Sequence, residues 1–400
     1  PIIFESLKNN DFKTERNSFA RSHYFFRTAI ELRKAWQNER ESREKAQYAA
    51  LPVDFGGCAL LDEARQRTYI LIMGEGASRT HMSLYGYPRH TSPALDELGD
   101  ELVVYDRIIS MFGITAPSLN ASFIFPDIQE GQRGIASILT LHREAGFKTY
   151  WLNNNLSEKA GEGAAWFNLS ADVVVNKNVS TSLTQLSSYD EELLPEVENA
   201  LRDKAPNKFI VVHLAGMHPT FEYRYPPEQA VYAHDDRTDL YNADTLDEDR
   251  IEKINTYDNA MIYNNKNVRA IIDLAASAPG SAYVLYLSDH SQNLGEIAEY
   301  FQGSVATGGT QYMYNIPFIV WVSGEYRRLN PEFCARLSQD THRFGKTDDT
   351  LGYSVAELSR ISFGRFKPEK SLFSESYARP DTRLGDGTDY TSLPGGFEVE

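Results

Sequence analysis

The sequence predicts an α/β fold, a largely parallel central sheet with helices on both faces. Short apolar runs alternate along the chain with longer segments of helical spacing. Those runs are apolar at consecutive positions rather than every second one, as in strands covered on both faces. With 400 residues, 42% of them hydrophobic, the chain can bury a large core.

The first element is a helical pattern over residues 19–49, rich in Arg, Glu, Gln and Ala, with Phe25, Ile30, Leu32 and Trp36 near helical spacing. Residues 51–57, with Pro52 and the Gly56 and Gly57 pair, read as a linker. Residues 1–57 are therefore a helical segment and linker, either packed on a domain surface or acting as a spacer beside a membrane. Residues 58–400 form the main domain. Its clearest strands are 68–73 (TYILIM), 148–152 (KTYWL), 209–214 (FIVVHL), 282–288 (AYVLYLS) and 317–322 (PFIVWV). Helices are expected over 134–145 and 248–276, and the Gly- and Pro-containing last 30 or so residues read as an irregular tail.

Composition excludes several functions. The formal charge of -16 and the lack of a Lys/Arg block argue against nucleic acid as a partner. No apolar run approaches the roughly 20 residues that span a bilayer. Starting at Pro1 with no signal-peptide pattern, the sequence reads as part of a longer chain whose anchoring segment lies elsewhere. Cys58 and Cys334 are compatible with one bridge but not with a thiolate metal site.

In open α/β sheets, functional groups gather beyond the carboxyl ends of the strands. Here TYILIM runs into Gly74 and Glu75, FIVVHL into 215–218 with His218, and AYVLYLS into Asp289 and His290. Two carboxylates with one or two imidazoles are donors suited to zinc or manganese. Taken singly, each has a plainer role: Asp289 as a helix cap, Glu75 as an exposed strand end, His213 and His218 as hydrogen-bonded structural histidines. Thr115 follows a Gly-containing turn and precedes Pro117, which suits the first turn of a helix. There a hydroxyl is either an N-cap or a nucleophile facing an anion pocket.

Segments 74–95 (GEGASRTHMSLYGYPRHTSPAL), 115–119 (TAPSL), 145–155 (AGFKTYWLNNN), 213–219 (HLAGMHP) with Tyr223, Arg224, Tyr225 and Pro226, and 287–296 (LSDHSQNLGE) occur in an order that resembles bacterial phosphoethanolamine transferases. These belong to the alkaline phosphatase and sulfatase superfamily. The motifs extend over most of 68–323, and the first 50 residues resemble the segment that follows the membrane helices in the branch acting on the lipopolysaccharide core.

The resemblance implies an inner-membrane enzyme with its catalytic domain facing the periplasm, joined to the membrane by an N-terminal segment absent from this sequence. It implies zinc, with manganese as an alternative, held by Glu75, Thr115, Asp289 and His290. Thr115 would take phosphoethanolamine from phosphatidylethanolamine, release diacylglycerol and pass the group to lipopolysaccharide or another envelope glycolipid. His218 and His213 are candidates for a second metal or the substrate, and Asn155 and Lys159 match residues that contact the ethanolamine phosphate. Three departures stand out. Gln302 occupies a position that is commonly His, so one tight metal is expected rather than two. Gly76 replaces a usual Ser or Thr, and Ser291 a usual Gly. Two other readings are a phosphoglycerol transferase or phosphodiesterase of the same superfamily and a catalytically silent glycolipid-binding domain.

Overall fold

A computed structural model describes residues 47–49, 51–155, 166–178, 188–240, 243–297 and 309–397. The expected helix over 19–49 lies almost entirely outside them, as do Lys159 and Gln302. The strands are β1 (Cys58–Leu60), β2 (Arg67–Gly74), β3 (Leu102–Tyr105), β4 (Ile108–Ser110), β5 (Lys148–Asn153), β6 (Val173–Asn176), β7 (Asn207–His213), β8 (Ser281–Ser288), β9 (Phe318–Val322), β10 (Gly345–Thr347) and β11 (Ile361–Phe363). Seven form one sheet in the order β3-β9-β8-β2-β7-β5-β6. The five from β8 to β6 run parallel, whereas β9 is antiparallel to both β8 and β3. The largely parallel sheet is as expected; the reversed direction of β9 is a correction that an apolar run alone does not reveal.

Every residue of β2 and β8 is buried. Their side chains divide between two cores: Tyr69, Leu71 and Met73 of β2 enter one, Ile70 and Ile72 the other. Each fully buried aliphatic side chain contributes roughly 1.5–3 kcal/mol by leaving water. A one-residue slip of β2 would exchange the two sets, so its register is tightly specified.

The first core is covered by α1 (Thr115–Phe123), α2 (Ile138–Glu144) and α5 (Asp349–Leu358), the second by α3 (Leu194–Arg202) and the long α4 (Glu248–Ser277). Helix α4 matches the expected 248–276, starting where the Asp247 side chain accepts from Arg250 N at 2.9 Å. Helix α2 starts later than the expected residue 134 because Ser137 caps it, in a reciprocal pair with Thr140.

The linker stretch 51–57 is irregular but not detached, since Val53 and Phe55 enter the first core. The tail is likewise irregular yet packed, with Leu384 and Tyr390 against Ile109, Met313, Tyr314 and Phe344. Cys58 and Cys334 are free thiols, both pushed up to about 11, chiefly by burial. Among the described residues no helix is long and apolar enough to cross a membrane.

Candidate active site

The sheet brings three of the sequence candidates together by register. Gly74 lies opposite Ser288 and Met73 opposite His213, so Glu75 and Asp289 leave adjacent strand ends side by side. Backbone bonds stitch the exits: Asp289 N to Gly74 O at 3.1 Å, Leu214 N to Met73 O at 2.9 Å and Met217 N to Glu75 O at 2.8 Å. Gly216, at φ +46, makes this approach feasible. A Cβ there would sit 2.8 Å from Glu75 O and 2.9 Å from Glu75 N.

One donor atom each from Glu75, Asp289 and His290 lies within 4.8 Å of the others, and all three residues are buried. His290 Nε2 is 3.3 Å from Glu75 Oε1 and 3.6 Å from Asp289 Oδ2. Its Nδ1 is 2.9 Å from Ser291 O, a contact that makes Nδ1 the protonated nitrogen and turns Nε2 toward the carboxylates. Asp289 Oδ1 accepts from Gly76 N at 3.0 Å and His290 N at 2.7 Å, while the buried Oδ2 has no hydrogen bond among the described residues. Glu75 Oε2 accepts from Asn155 Nδ2 at 2.8 Å, and that amide also donates to Leu214 O at 3.1 Å.

Thr115 is the first residue of α1, and its N-cap position is taken by Ile114. Its hydroxyl does not cap the helix. It donates instead to Glu75 at 3.0 Å to Oε2 and 3.2 Å to Oε1, with His290 Nε2 at 3.4 Å. These groups line a cleft of about 320 Å³ together with Gly113, Ile114, His218 and Gln292.

Charge is held in this cluster against burial. For Glu75 burial pushes upward, but the hydrogen bond and charge of His290 dominate and hold the carboxyl well below the usual carboxylate range. Burial, then the neighbouring Glu75 charge, raises Asp289 to about 6. Burial works against protonated His290, yet Asp289 and Glu75 raise it to about 10. In the bare chain His290 thus serves as counter-cation to two carboxylates. A divalent cation fits the same need: two carboxylates, a correctly tautomerised imidazole and a buried oxygen with no hydrogen bond among the described residues converge on one point.

Of the remaining candidates, His218 lines the cleft, and its pKa is lowered mainly by burial. Arg224 holds its loop, donating from Nε to His218 O at 2.7 Å. His213 is fully buried beside Trp151, with ring centroids 5.6 Å apart, and lies outside the donor group. Gly76, where a Ser or Thr was the usual residue, has φ +62 and would place a Cβ 3.1 Å from Met217 O, so glycine is the residue this turn accepts.

Two supporting residues escaped the sequence reading. Asp190 accepts from Ala215 N and Gly216 N, both at 2.9 Å, and from Asn154 Nδ2 at 2.9 Å. Tyr257, inside α4, accepts from Ser78 N and donates to Gly76 O, both at 2.8 Å. Neither carries a local signal: Asp190 lies in an acidic surface-like run, and Tyr257 is one more aromatic residue on a buried helix face.

A sulfatase family model matches residues 67–358. The chain belongs to the sulfatase family. It is 29% identical over 349 residues to phosphoethanolamine transferase EptC of Escherichia coli K12, a match covering 83% of this chain and 59% of that protein. Phosphoethanolamine transferase CptA of Salmonella typhimurium is 29% identical over 346 residues, with the same coverage of 83% and 59%. The family member described here therefore spans under two thirds of the length of these relatives. The crystal structure of the C-terminal periplasmic domain of Escherichia coli EptC in complex with Zn superposes with a TM-score of 0.76 at 28% identity, covering 88% of this chain and 99% of that one. The match supports zinc and offers nothing for manganese.

Proposed function

We propose that the chain is the catalytic domain of a phosphoethanolamine transferase that moves the group from phosphatidylethanolamine to an envelope glycolipid, lipopolysaccharide core or lipid A, through a phospho-threonine intermediate. The observation that carries this reading is the Thr115 hydroxyl bonded at 3.0 Å to Glu75, at a helix N-terminus and beside Asp289 and His290. A nucleophile, a carboxylate that orients its hydroxyl and a helix N-terminus that favours an anion then share one cleft. The named activity of the relatives supports the choice of transferred group.

In the first half-reaction Thr115 Oγ1 forms a bond to phosphorus while the bond to the glyceride oxygen breaks. The threonine proton ends on the departing diacylglycerol. In the second, an acceptor hydroxyl attacks phosphorus, the bond to Oγ1 breaks and its proton returns to Thr115. Glu75, Asp289 and His290, with Thr115, would hold zinc, which when bound supplies Lewis-acid stabilisation of charge and lowers the pKa of the hydroxyl. Asn155 keeps Glu75 oriented, and His218 faces the phosphate from across the cleft. Lys159 and His213 complete the proposed set, as a phosphate contact and a buried support. The same reading puts this domain in the periplasm, with residues 1–57 next to the inner membrane.

Intact-protein mass after incubation with zinc and phosphatidylethanolamine tests this directly. The native chain is expected to gain one phosphoethanolamine and the Thr115→Ala variant none, with the same fold by circular dichroism. Gain in the variant would overturn the nucleophile; gain from phosphatidylglycerol instead would favour the phosphoglycerol reading.

A further inference from the structure

A second cleft opens on the same edge of the sheet. Tyr105 at the end of β3 pairs with Phe318, and Phe318 with Leu287 of β8, so Arg107 follows a strand that ends at the same edge of the sheet as β8, two strands away. This cleft, about 470 Å³, is lined by Arg107, His342, Arg343, Phe344, Tyr377 and Arg379, with Asp340 at its side. Three guanidinium groups from three separate segments converge there in a chain whose formal charge is -16.

Asp340, which lines the cleft, is already engaged, and Asp106 beside it is held by one oxygen, its buried Oδ1 having no hydrogen bond among the described residues. Asp340 Oδ2 accepts from Arg343 Nε at 2.8 Å, and Asp106 Oδ2 is 2.8 Å from His342 Nδ1. Arg343 is fixed further by donating to Leu372 O at 3.0 Å and Ser374 O at 2.8 Å, leaving its Nη2 without a bond among the described residues. The Arg379 guanidinium lies 5.6 Å from the Phe344 ring centroid, a pre-set cation–π position. No hydrogen bond or ion pair reaches the Arg107 side chain among the described residues, although the backbone on either side is tied down: Arg107 O accepts from Gly345 N at 3.1 Å and Asp106 N donates to Thr341 O at 3.2 Å. Convergent arginines held on a rigid frame, with aromatic faces beside them, recognise phosphate or carboxylate oxygens on a sugar by bidentate donation and ring stacking.

We infer that this cleft is the acceptor subsite, which seats an acidic saccharide bearing phosphate or carboxylate groups while its hydroxyl reaches the Thr115 cleft. The assignment rests on the transferase reading, and binding can be measured apart from it. Isothermal titration of the Thr115→Ala chain with fructose bisphosphate is the experiment, with inorganic phosphate as the second arm. Saturable binding is expected, weakened on the order of tenfold by Arg107→Gln and again by Arg379→Gln, as loss of a charge-assisted hydrogen bond implies. Inorganic phosphate should bind at least tenfold more weakly than the sugar. In the Thr115-bearing chain the same substitutions should raise KM for the glycolipid acceptor far more than they lower kcat. Unchanged titration in both variants, or inorganic phosphate binding as tightly as the sugar, would overturn the subsite. Failure of Thr115 to load in the mass experiment would instead count against the transferase reading and leave the titration standing.

Discussion

His142 and His290 are both buried histidines, and they differ in charge. His142, on α2 in the first core, stacks on Phe209 with ring centroids 3.6 Å apart. Both its nitrogens are satisfied, Nδ1 by Ile138 O and Nε2 by Ser359 Oγ, each at 2.7 Å. Burial with no carboxylate at hand pushes it down to about 3, so it is neutral at every ordinary pH. His290 meets the same burial but faces Asp289 and Glu75, which hold it protonated in the bare chain. Burial is therefore not what separates structure from chemistry. The His142 network is closed, whereas the His290 network ends on a carboxylate oxygen, Asp289 Oδ2, that has no hydrogen bond among the described residues.

The sharpest way to break this contrast is to remove a member of the open network. Asp289→Asn and His290→Ala should each abolish zinc retention after dialysis and reduce transfer below detection, checked by metal analysis and by the loading assay. Full zinc occupancy in either would mean the cluster is a buried ion pair and nothing more. Zinc removal by a chelator should lower the Tm of the native chain and leave that of Asp289→Asn unmoved, because a metal that binds only the folded state stabilises it by mass action.

A step further out, Asn155→Ala removes the 2.8 Å donor to Glu75 Oε2. Outer partners of metal ligands typically matter by about 10–100-fold, and a loss of that size in zinc affinity or transfer is expected. Gly216→Ala should do less to zinc affinity while lowering the Tm, since a Cβ at φ +46 meets the Glu75 backbone and left-handed strain costs roughly 1–2 kcal/mol. A Gly216→Ala chain with native Tm and activity would show that the Glu75 turn is softer than its contacts imply.

The smallest effect on catalysis belongs to the closed network. His142→Gln should leave transfer at pH 7 within about twofold, because nothing in the cleft touches it. Its signature is acid stability. A histidine held below its unfolded value of about 6.5 contributes stability that is full above that pH. That contribution is lost as pH falls through the window toward 3, since the unfolded chain takes up the proton first. The drop in Tm between pH 7 and pH 5 should therefore be smaller in His142→Gln than in the native chain. An equal drop would place the acid sensitivity elsewhere.

Much of the fold was legible because β2, β7 and β8 are buried along almost their whole length, and continuous apolar runs report that directly. The short strands β1, β4, β10 and β11 were not, since three residues carry no usable period. Nor was β6, an edge strand whose alternate residues are exposed. Glu75, Asp289 and His290 stood out because each follows a buried run immediately, where an acid or imidazole has no packing reason to be. Asn155 came only with the family resemblance. Asp190 and Tyr257 hold the site through backbone groups far away in sequence, and such partners leave no local mark.

By itself, the amino-acid order determined which segments are buried strands, where acids and imidazoles leave them, and that Thr115 opens a helix. These are local properties, set by side-chain polarity and backbone preference over a few residues. Only the tertiary structure decided that β8 and β7 flank β2 in registers that align Glu75 with Asp289, that β9 runs backwards, and that Arg107, Arg343 and Arg379 share one cleft. Strand order, direction and register depend on how two cores fill around the whole sheet, and no short stretch of chain contains that information.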